Sequence, residues 1–262
     1  MSDEINWDRI RDLAQRVLKR SEPLELSDDT RALLLKSARE VAISEQDAED
    51  ALRGVPTATT LLREIRQRIR DGEYRLGKAE DRAEELQEKG DLEGAQQVMR
   101  DVLAMEVVPF YRGLAERTLM RLNGLAEVHA TGRLNPDLPD RDQLAVLTQR
   151  IQQGFALELT GDLRDLLRRT APTAAVTETE TEEALKSPEG AEALMRMILS
   201  RFRKARRRFL HAMFRMTSLR DSGDIEGARQ QMRDVLAAEV VPRFRQAAEE
   251  QLKGLDSPPP ES

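Results

Sequence analysis

The sequence predicts an all-α protein built from two homologous helical modules, and three observations support this. Aromatic residues make up only 3% of the 262 residues, so large strand-forming side chains are scarce. Ala, Leu, Glu, Arg and Gln, which favour helices, are abundant. The third observation is an internal repeat, because GDLEGAQQVMRDVLAMEVVP from Gly90 recurs as GDIEGARQQMRDVLAAEVVP from Gly223.

The repeat divides the chain into a first module over residues 1–128, a linker over 129–140, a second module over 141–256 and a tail over 257–262. The linker contains Gly132 and two prolines and has little apolar periodicity. The tail, SPPPES, is expected to be solvated and disordered.

Each module is predicted to begin with short helices. In the first module, apolar residues at helical spacing predict a helix over 5–20, which Pro23 ends, and a second over 28–42. A third short helix is expected after Ser44, because a Ser-x-x-Asp pattern there has the spacing of a capping box. The second module repeats this spacing as Thr-x-x-Glu from Thr177.

A long fourth helix is predicted over 57–89 and 188–222, where Ser187 suits the N-cap and Pro188 the first helical position. Apolar residues recur along it with the alternating three- and four-residue spacing of a heptad seam. The seam consists of Leu62, Ile65, Ile69, Gly72, Leu76, Ala79, Ala83 and Leu86 in the first module, and of Met195, Ile198, Phe202, Ala205, Phe209, Ala212, Met216 and Leu219 in the second.

A glycine and an aspartate then predict a tight turn into a return helix, at Gly90 and at Gly223. Glycine can end a helix in the left-handed conformation, and the aspartate after it can cap the next helix. The return helix has its own seam, which consists of Leu92, Ala95, Met99 and Val102, and of Ile225, Ala228, Met232 and Val235. Each module is therefore predicted to contain a long antiparallel helical hairpin.

The most similar block, MRDVLA-x-EVVP, places a glutamate before a proline and an arginine after it. These residues are Glu106, Pro109 and Arg112 in the first module, and Glu239, Pro242 and Arg245 in the second. A proline within a helix predicts a kink, here near Met105 and Ala238. The glutamate and arginine could form either a structural ion pair across the kink or a functional site at it.

The sequence contains no pattern typical of catalysis or metal binding. Cysteine is absent, and the two histidines, His129 and His211, lack the spacing of zinc ligands. No Gly-rich phosphate loop, nucleophile elbow or Asp-rich calcium loop occurs. We therefore expect a non-enzymatic protein that needs no cofactor or metal, in which Trp7 anchors a local core.

Charge and hydropathy limit the location and the partners. No run of about 18 apolar residues occurs, and the first residues are acidic where a secretory signal would be basic, so we expect a cytoplasmic protein without a membrane span. The net charge of −6 argues against a general nucleic-acid binder.

The two long helices differ strongly in charge. The segment from Arg63 to Lys89 has eight basic and eight acidic residues, whereas the segment from Arg196 to Ser222 has nine basic residues and one acidic residue, Asp221. The basic run could be a solvated face balanced by the nearby acidic stretch 178–183, a docking face for an acidic partner helix, or a nucleic-acid site. The residues predicted for docking are Arg201, Lys204, Arg206 and Arg208.

Four motifs resemble the DUSAM domain, an uncharacterised myxobacterial family named for its duplication. They are W-x-x-I/V-R-x-L near the start, SEPLELSDDTRALL, S/T-E-x-D/E-x-E-x-A-L in both modules, and the repeated GD-L/I-EGA block that runs to EVVP. The second module departs from the pattern, because it lacks the tryptophan and has a Pro- and Thr-rich stretch at 172–181. The resemblance implies a bacterial cytoplasmic protein of tandem modules and implies no catalytic residues.

From the sequence we expect a regulatory module that binds another protein and restrains it, with self-association also open. The alternative is a nucleic-acid-binding regulator that uses the basic helix over 196–220.

Overall fold

The chain was analysed as a computed structural model, which describes residues 5–256. Within that range it forms twelve α-helices and no strand, which confirms the predicted all-α class. The chain divides into two compact units, unit 1 up to Ala126 and unit 2 from Glu127 onward. The tail predicted over 257–262 lies outside the described residues.

Unit 1 contains three short helices followed by the long hairpin. Its helices are α1 (Asp8–Ala14), which continues as a π-helical turn (Gln15–Lys19), α2 (Asp28–Glu40), α3 (Glu45–Ala51), α4 (Val55–Glu88), α5 (Leu92–Met105) and α6 (Pro109–Thr131), whose last residues lie past the boundary at Ala126. The helix predicted over 5–20 therefore begins later, at Asp8, and its last turn is wider than an α-helical turn. Since α6 extends to Thr131, the first residues of the predicted linker are helical.

Unit 2 repeats this order with one change. Its helices are α7 (Asp140–Gln152), α8 (Gly161–Thr170), followed by a 3-10 turn (Pro172–Ala174), α9 (Glu178–Ala184), α10 (Pro188–Asp221), α11 (Ile225–Ala238) and α12 (Pro242–Asp256). The helix α8 is shorter than α2. Pro172 accounts for this, because proline has no N–H to donate to a carbonyl of the preceding turn.

The predicted caps are present. Ser44 Oγ accepts a hydrogen bond from the Asp47 N–H at 3.1 Å, and Ser187 caps α10 through the Gly190 N–H at 3.0 Å. At Thr177 the capping box is complete, since the hydroxyl accepts from the Glu180 N–H while the Glu180 carboxylate accepts from the Thr177 N–H. The boundaries of these helices therefore follow from local hydrogen bonding.

Each unit forms its hairpin as predicted, with α4 packed on α5 and α10 on α11. Gly90 and Gly223 have φ of +84° and +86°, the left-handed conformation that the turn requires. Seam residues along α4 are buried from Leu62 to Ala83, and those along α10 are buried or half-buried. The heptad interpretation of both helices is confirmed.

The predicted proline kinks are wrong, because both helices break. The helix α5 ends at Met105, Glu106 is extended with ψ of 128°, and Pro109 begins a new helix. Glu239 is likewise extended, with ψ of 133°, before Pro242. The proline ring would clash with the carbonyl four residues earlier, whereas its fixed φ suits a first helical position.

The seam register gives a testable prediction in unit 2. Replacing Phe209 by Ala is expected to lower the free energy of unfolding by about 2–4 kcal/mol, because the ring packs against Phe244, with centroids 5.8 Å apart, and against Ala205 and Val241. Chemical denaturation followed by circular dichroism measures the change. The control is Phe214→Ala on the same helix, which should have little effect because Phe214 is exposed. Equal shifts in the two variants would contradict the register.

Candidate functional site

A buried carboxylate occupies the helix break of unit 1. The Glu106 side chain is only 1% exposed, although it is an acid and no basic residue stands next to it in the sequence. Its carboxylate accepts a hydrogen bond from the Val108 N–H at 2.8 Å and pairs with the Arg75 guanidinium from the middle of α4. The pair therefore joins the break to the long helix.

Unit 2 has the same arrangement at equivalent positions. The Glu239 side chain is 2% exposed and accepts from the Val241 N–H at 2.8 Å. Arg208 Nη1 donates to its other carboxylate oxygen at 2.7 Å. Arg208 was predicted to face a partner protein. This contact instead gives it a structural role within its own unit.

The arginine after each proline binds main-chain carbonyls. Arg112 Nη1 donates to the carbonyl oxygens of Leu103 and Glu106 at 2.7 and 2.8 Å. Arg245 makes the equivalent bonds to Leu236 and Glu239 at 2.6 and 2.9 Å. These carbonyls lie at the C-terminal end of a helix, where a cation is favourable. The ion pair predicted between Glu106 and Arg112 is therefore wrong, since the acid pairs with Arg75.

Both breaks are structural, and neither offers a reactive group to solvent. Their carboxylates are buried and engaged by an arginine and a backbone N–H, and the arrangement is the same in both units. Such a set of contacts stabilises a change of helix direction.

Arg201 also has a structural role. Its Nη1 donates to the carbonyl oxygens of Ala174 and Ala175 at 3.1 and 2.5 Å, beyond the end of α8. Arg68 makes the equivalent contacts in unit 1, at the end of α2. Ala175 has φ of 56°, the left-handed backbone that commonly ends a helix and leaves carbonyls to be satisfied.

The four predicted docking residues therefore divide by environment. Arg201 and Arg208 hold elements of unit 2 together, and Arg206 also has a partner within the chain. Lys204 is exposed and has no carboxylate partner among the described residues. Residues that flank the seam of α10 contact the short helices and the break of their own unit, because α7, α8, α9 and α12 also pack on α10.

A different face of α10 is exposed. It carries Arg203, Arg207, Leu210 and Phe214, whose spacing of four, three and four residues places them along one line; these four residues are called the α10 stripe. Leu210 is 55% exposed and Phe214 is 76% exposed. Within the described part of the chain neither stripe arginine has a carboxylate partner. The sequence signal for this face was the presence of two large apolar residues outside the seam.

The equivalent face of unit 1 does not have this character. The residues at the equivalent positions are Arg70, Tyr74, Gly77 and Asp81. Arg70 lies 3.5 Å from Asp71, and Lys78 Nζ lies 4.9 Å from the centroid of the Tyr74 ring. The cationic and apolar stripe is therefore specific to unit 2.

No group of three or more His, Asp or Glu side chains that could hold a metal ion occurs within residues 5–256. Over the same residues, none of the helices has the length and apolar character needed to cross a membrane.

Comparison with known proteins identifies one family. A family model described as a protein of unknown function (DUF2379) matches the chain twice, at residues 5–122 and 139–255. The two matches correspond to the internal repeat. No curated protein and no solved structure matches the chain significantly.

Proposed function

Since the chain belongs to the DUF2379 family of proteins of unknown function, we propose that it is a non-enzymatic regulatory module, which binds an acidic helix of a partner protein through the α10 stripe and thereby restrains that partner. A bacterial, cytoplasmic setting is part of the proposal, as is membership of the myxobacterial DUSAM group that the motifs resemble. The α10 stripe is the observation that carries it.

The chemistry of the stripe supports a helical and acidic partner. Large exposed apolar side chains in a row are typical of interaction sites, and Leu210 and Phe214 provide two on adjacent turns. Arg203, Lys204 and Arg207 lie beside them and have no acid partner among the described residues. An amphipathic helix can place apolar side chains on Leu210 and Phe214 and carboxylates on the cations.

The alternative, a nucleic-acid-binding regulator that uses residues 196–220, has fewer cations available than the sequence suggests. Five of the nine basic residues in this region have partners within the protein: Arg196, Arg201, Arg206, Arg208 and Arg220. The other four are Arg203, Lys204, Arg207 and Arg215. With four phosphate contacts, the binding constant for nucleic acid would fall by about 3–4 logarithmic units for a tenfold rise in salt concentration. In addition, the apolar side chains of Leu210 and Phe214 lie on the same face of α10 as Arg203 and Arg207.

Affinity capture from cytoplasm tests the proposal with a stripe variant, Arg203→Glu with Arg207→Glu. We expect the wild-type chain to retain a protein with an acidic amphipathic helix, and the variant to retain at least about tenfold less, because like charges would then meet. Circular dichroism should show little change in stability, since exposed charges contribute about 0–1 kcal/mol each.

The matched control is Arg70→Glu with Arg82→Glu, which makes the same charge change on exposed positions of α4. It should retain the partner as the wild type does. Equal capture by the stripe variant would contradict the proposed site. Recovery of nucleic acid with the steep salt dependence given above would favour the alternative.

A further inference from the structure

Unit 1 contains an open groove of about 700 Å³ between α1, α4 and α6. Its apolar lining consists of Ile5, Trp7, Leu76, Phe110, Tyr111 and Leu114, and its charged lining of Asp8, Arg11, Glu73 and Glu80. Three acids face one arginine, so the groove carries net negative charge.

The aromatic residues of the groove pack on one another. Trp7 packs on Phe110 edge to face, with centroids 5.3 Å apart, and on Tyr111 at 5.5 Å. Trp7 Nε1 donates to Glu40 Oε2 at 2.9 Å, and Tyr111 Oη donates to the Ile69 carbonyl at 2.9 Å. Both polar atoms are thus satisfied within the unit. Trp7 and Tyr111 are only 5% and 4% exposed, so the half-buried Ile5, Phe110 and Leu114 provide the apolar surface that an occupant would contact.

Gly77 leaves space in the wall of the groove. A Cβ added there would meet no atom within 4 Å. The equivalent residue in unit 2 is Leu210, which belongs to the α10 stripe. The two units also differ in charge at this place. Glu73 lines the groove of unit 1, and the equivalent residue in unit 2 is Arg206. After the duplication, one unit therefore has an acidic groove and the other a basic apolar ridge on the corresponding part of the long helix.

We propose that the groove of unit 1 binds the α10 stripe of a second copy of this chain. Leu210 and Phe214 match the apolar lining and the space at Gly77, and Arg203 and Arg207 match the acidic side chains. The acids are available, because among the described residues Glu73 has one cationic partner, Arg11 at 3.5 Å, and Glu80 has none. This inference rests on the proposed function, since it names the partner of the same stripe.

The geometry of such a contact determines the assembly. Groove and stripe are different surfaces, so each chain can make two such contacts. Two copies that exchange both contacts form a closed two-fold dimer, whereas contacts with successive copies form rings or open chains. The mass of the assembly should therefore rise with protein concentration, and it should fall at high salt because exposed charges are screened.

Sedimentation velocity on the full chain, from about 1 to about 100 μM, tests this inference. We expect concentration-dependent association of the wild type. A groove variant, Glu73→Arg with Glu80→Arg, should weaken it at least about tenfold, as should the stripe variant Arg203→Glu with Arg207→Glu. A control, Glu49→Arg with Glu85→Arg, makes the same charge change on exposed positions away from the groove and should associate as the wild type does.

Mixing the two variants provides the strongest test. The basic groove of the first would accept the acidic stripe of the second, and the unchanged stripe and groove would also match, so association should return when both are present. Glu73→Gln with Glu80→Gln should weaken association less than the arginine pair does. Retained circular dichroism and restored association in the mixture together show that the variants are folded.

Several outcomes would overturn the inference. These are a wild type that stays monomeric throughout the range, a groove variant that associates normally, or a mixture that stays monomeric. If a different protein is still captured through the α10 stripe in such a case, the second copy is the wrong partner and the proposed function remains. If the stripe variant also captures that protein as well as the wild type does, the proposed function fails separately.

Discussion

Replacing Arg75 by Gln is expected to lower the free energy of unfolding of unit 1 by about 3–5 kcal/mol, because it leaves the buried Glu106 carboxylate without its counter-charge. The carboxylate would keep the hydrogen bond from the Val108 N–H. That single neutral donor does not replace the solvation lost on burial. The expected effect is therefore much larger than that of a surface ion pair.

Trp7 makes this measurement specific to unit 1. It is the only tryptophan in the chain and lies in that unit, so its fluorescence during urea denaturation follows the unfolding of unit 1. The control is Arg82→Gln, which removes an exposed pair with Glu85 on the same helix and should cost about 0–1 kcal/mol. If both substitutions shift the midpoint equally, the Arg75–Glu106 pair does not stabilise the helix break.

Replacing Trp7 by Ala is also expected to lower the free energy of unfolding of unit 1, by about 3–5 kcal/mol. The side chain is 5% exposed, as a local core anchor should be, and it packs on Phe110 and Tyr111. Its indole N–H also connects the start of α1 to Glu40 at the end of α2. Removing the ring creates a cavity and leaves both rings with fewer contacts.

Circular dichroism at 222 nm follows this variant, because the fluorescent residue is lost. Trp7→Phe keeps most of the apolar contacts and loses the hydrogen bond to Glu40, so its cost should be smaller, about 1–2 kcal/mol. Tyr74→Ala is the control, since that ring is 63% exposed and should contribute little. A Trp7→Ala variant as stable as Tyr74→Ala would show that the N-terminal helix does not depend on this anchor.

Local patterns predicted most of the fold. The heptad seams, the N-caps at Ser44 and Thr177 and the glycine turns all depend on residues within a few positions of one another, and the repeat shows each of these patterns twice. Helical hydrogen bonds and side-chain spacing act over that range, so the sequence is sufficient to locate them. The exception was the proline of the EVVP block. The same residues can form either a kink within one helix or a break between two helices, and the two structures differ only in backbone angles.

The candidate site was harder to predict for a related reason. Arg201 and Arg208 were expected to face a partner because they flank the seam of α10. Each instead contacts main-chain or carboxylate oxygens about 30 residues away in sequence, in Ala175 and Glu239. A heptad pattern shows which residues flank a seam, but it does not show whether the same unit already covers them.

The sequence by itself determined the all-α class and the order of helices, because these follow from short-range spacing, and it determined the duplication, because the two segments can be compared directly. Only the tertiary structure decided that Glu106 pairs with Arg75, that the α10 stripe is exposed, and that unit 1 has an acidic groove. Each of these depends on which faces of separate helices meet. That choice follows from the packing of side chains far apart in the chain, so it becomes visible only when the helices are in place.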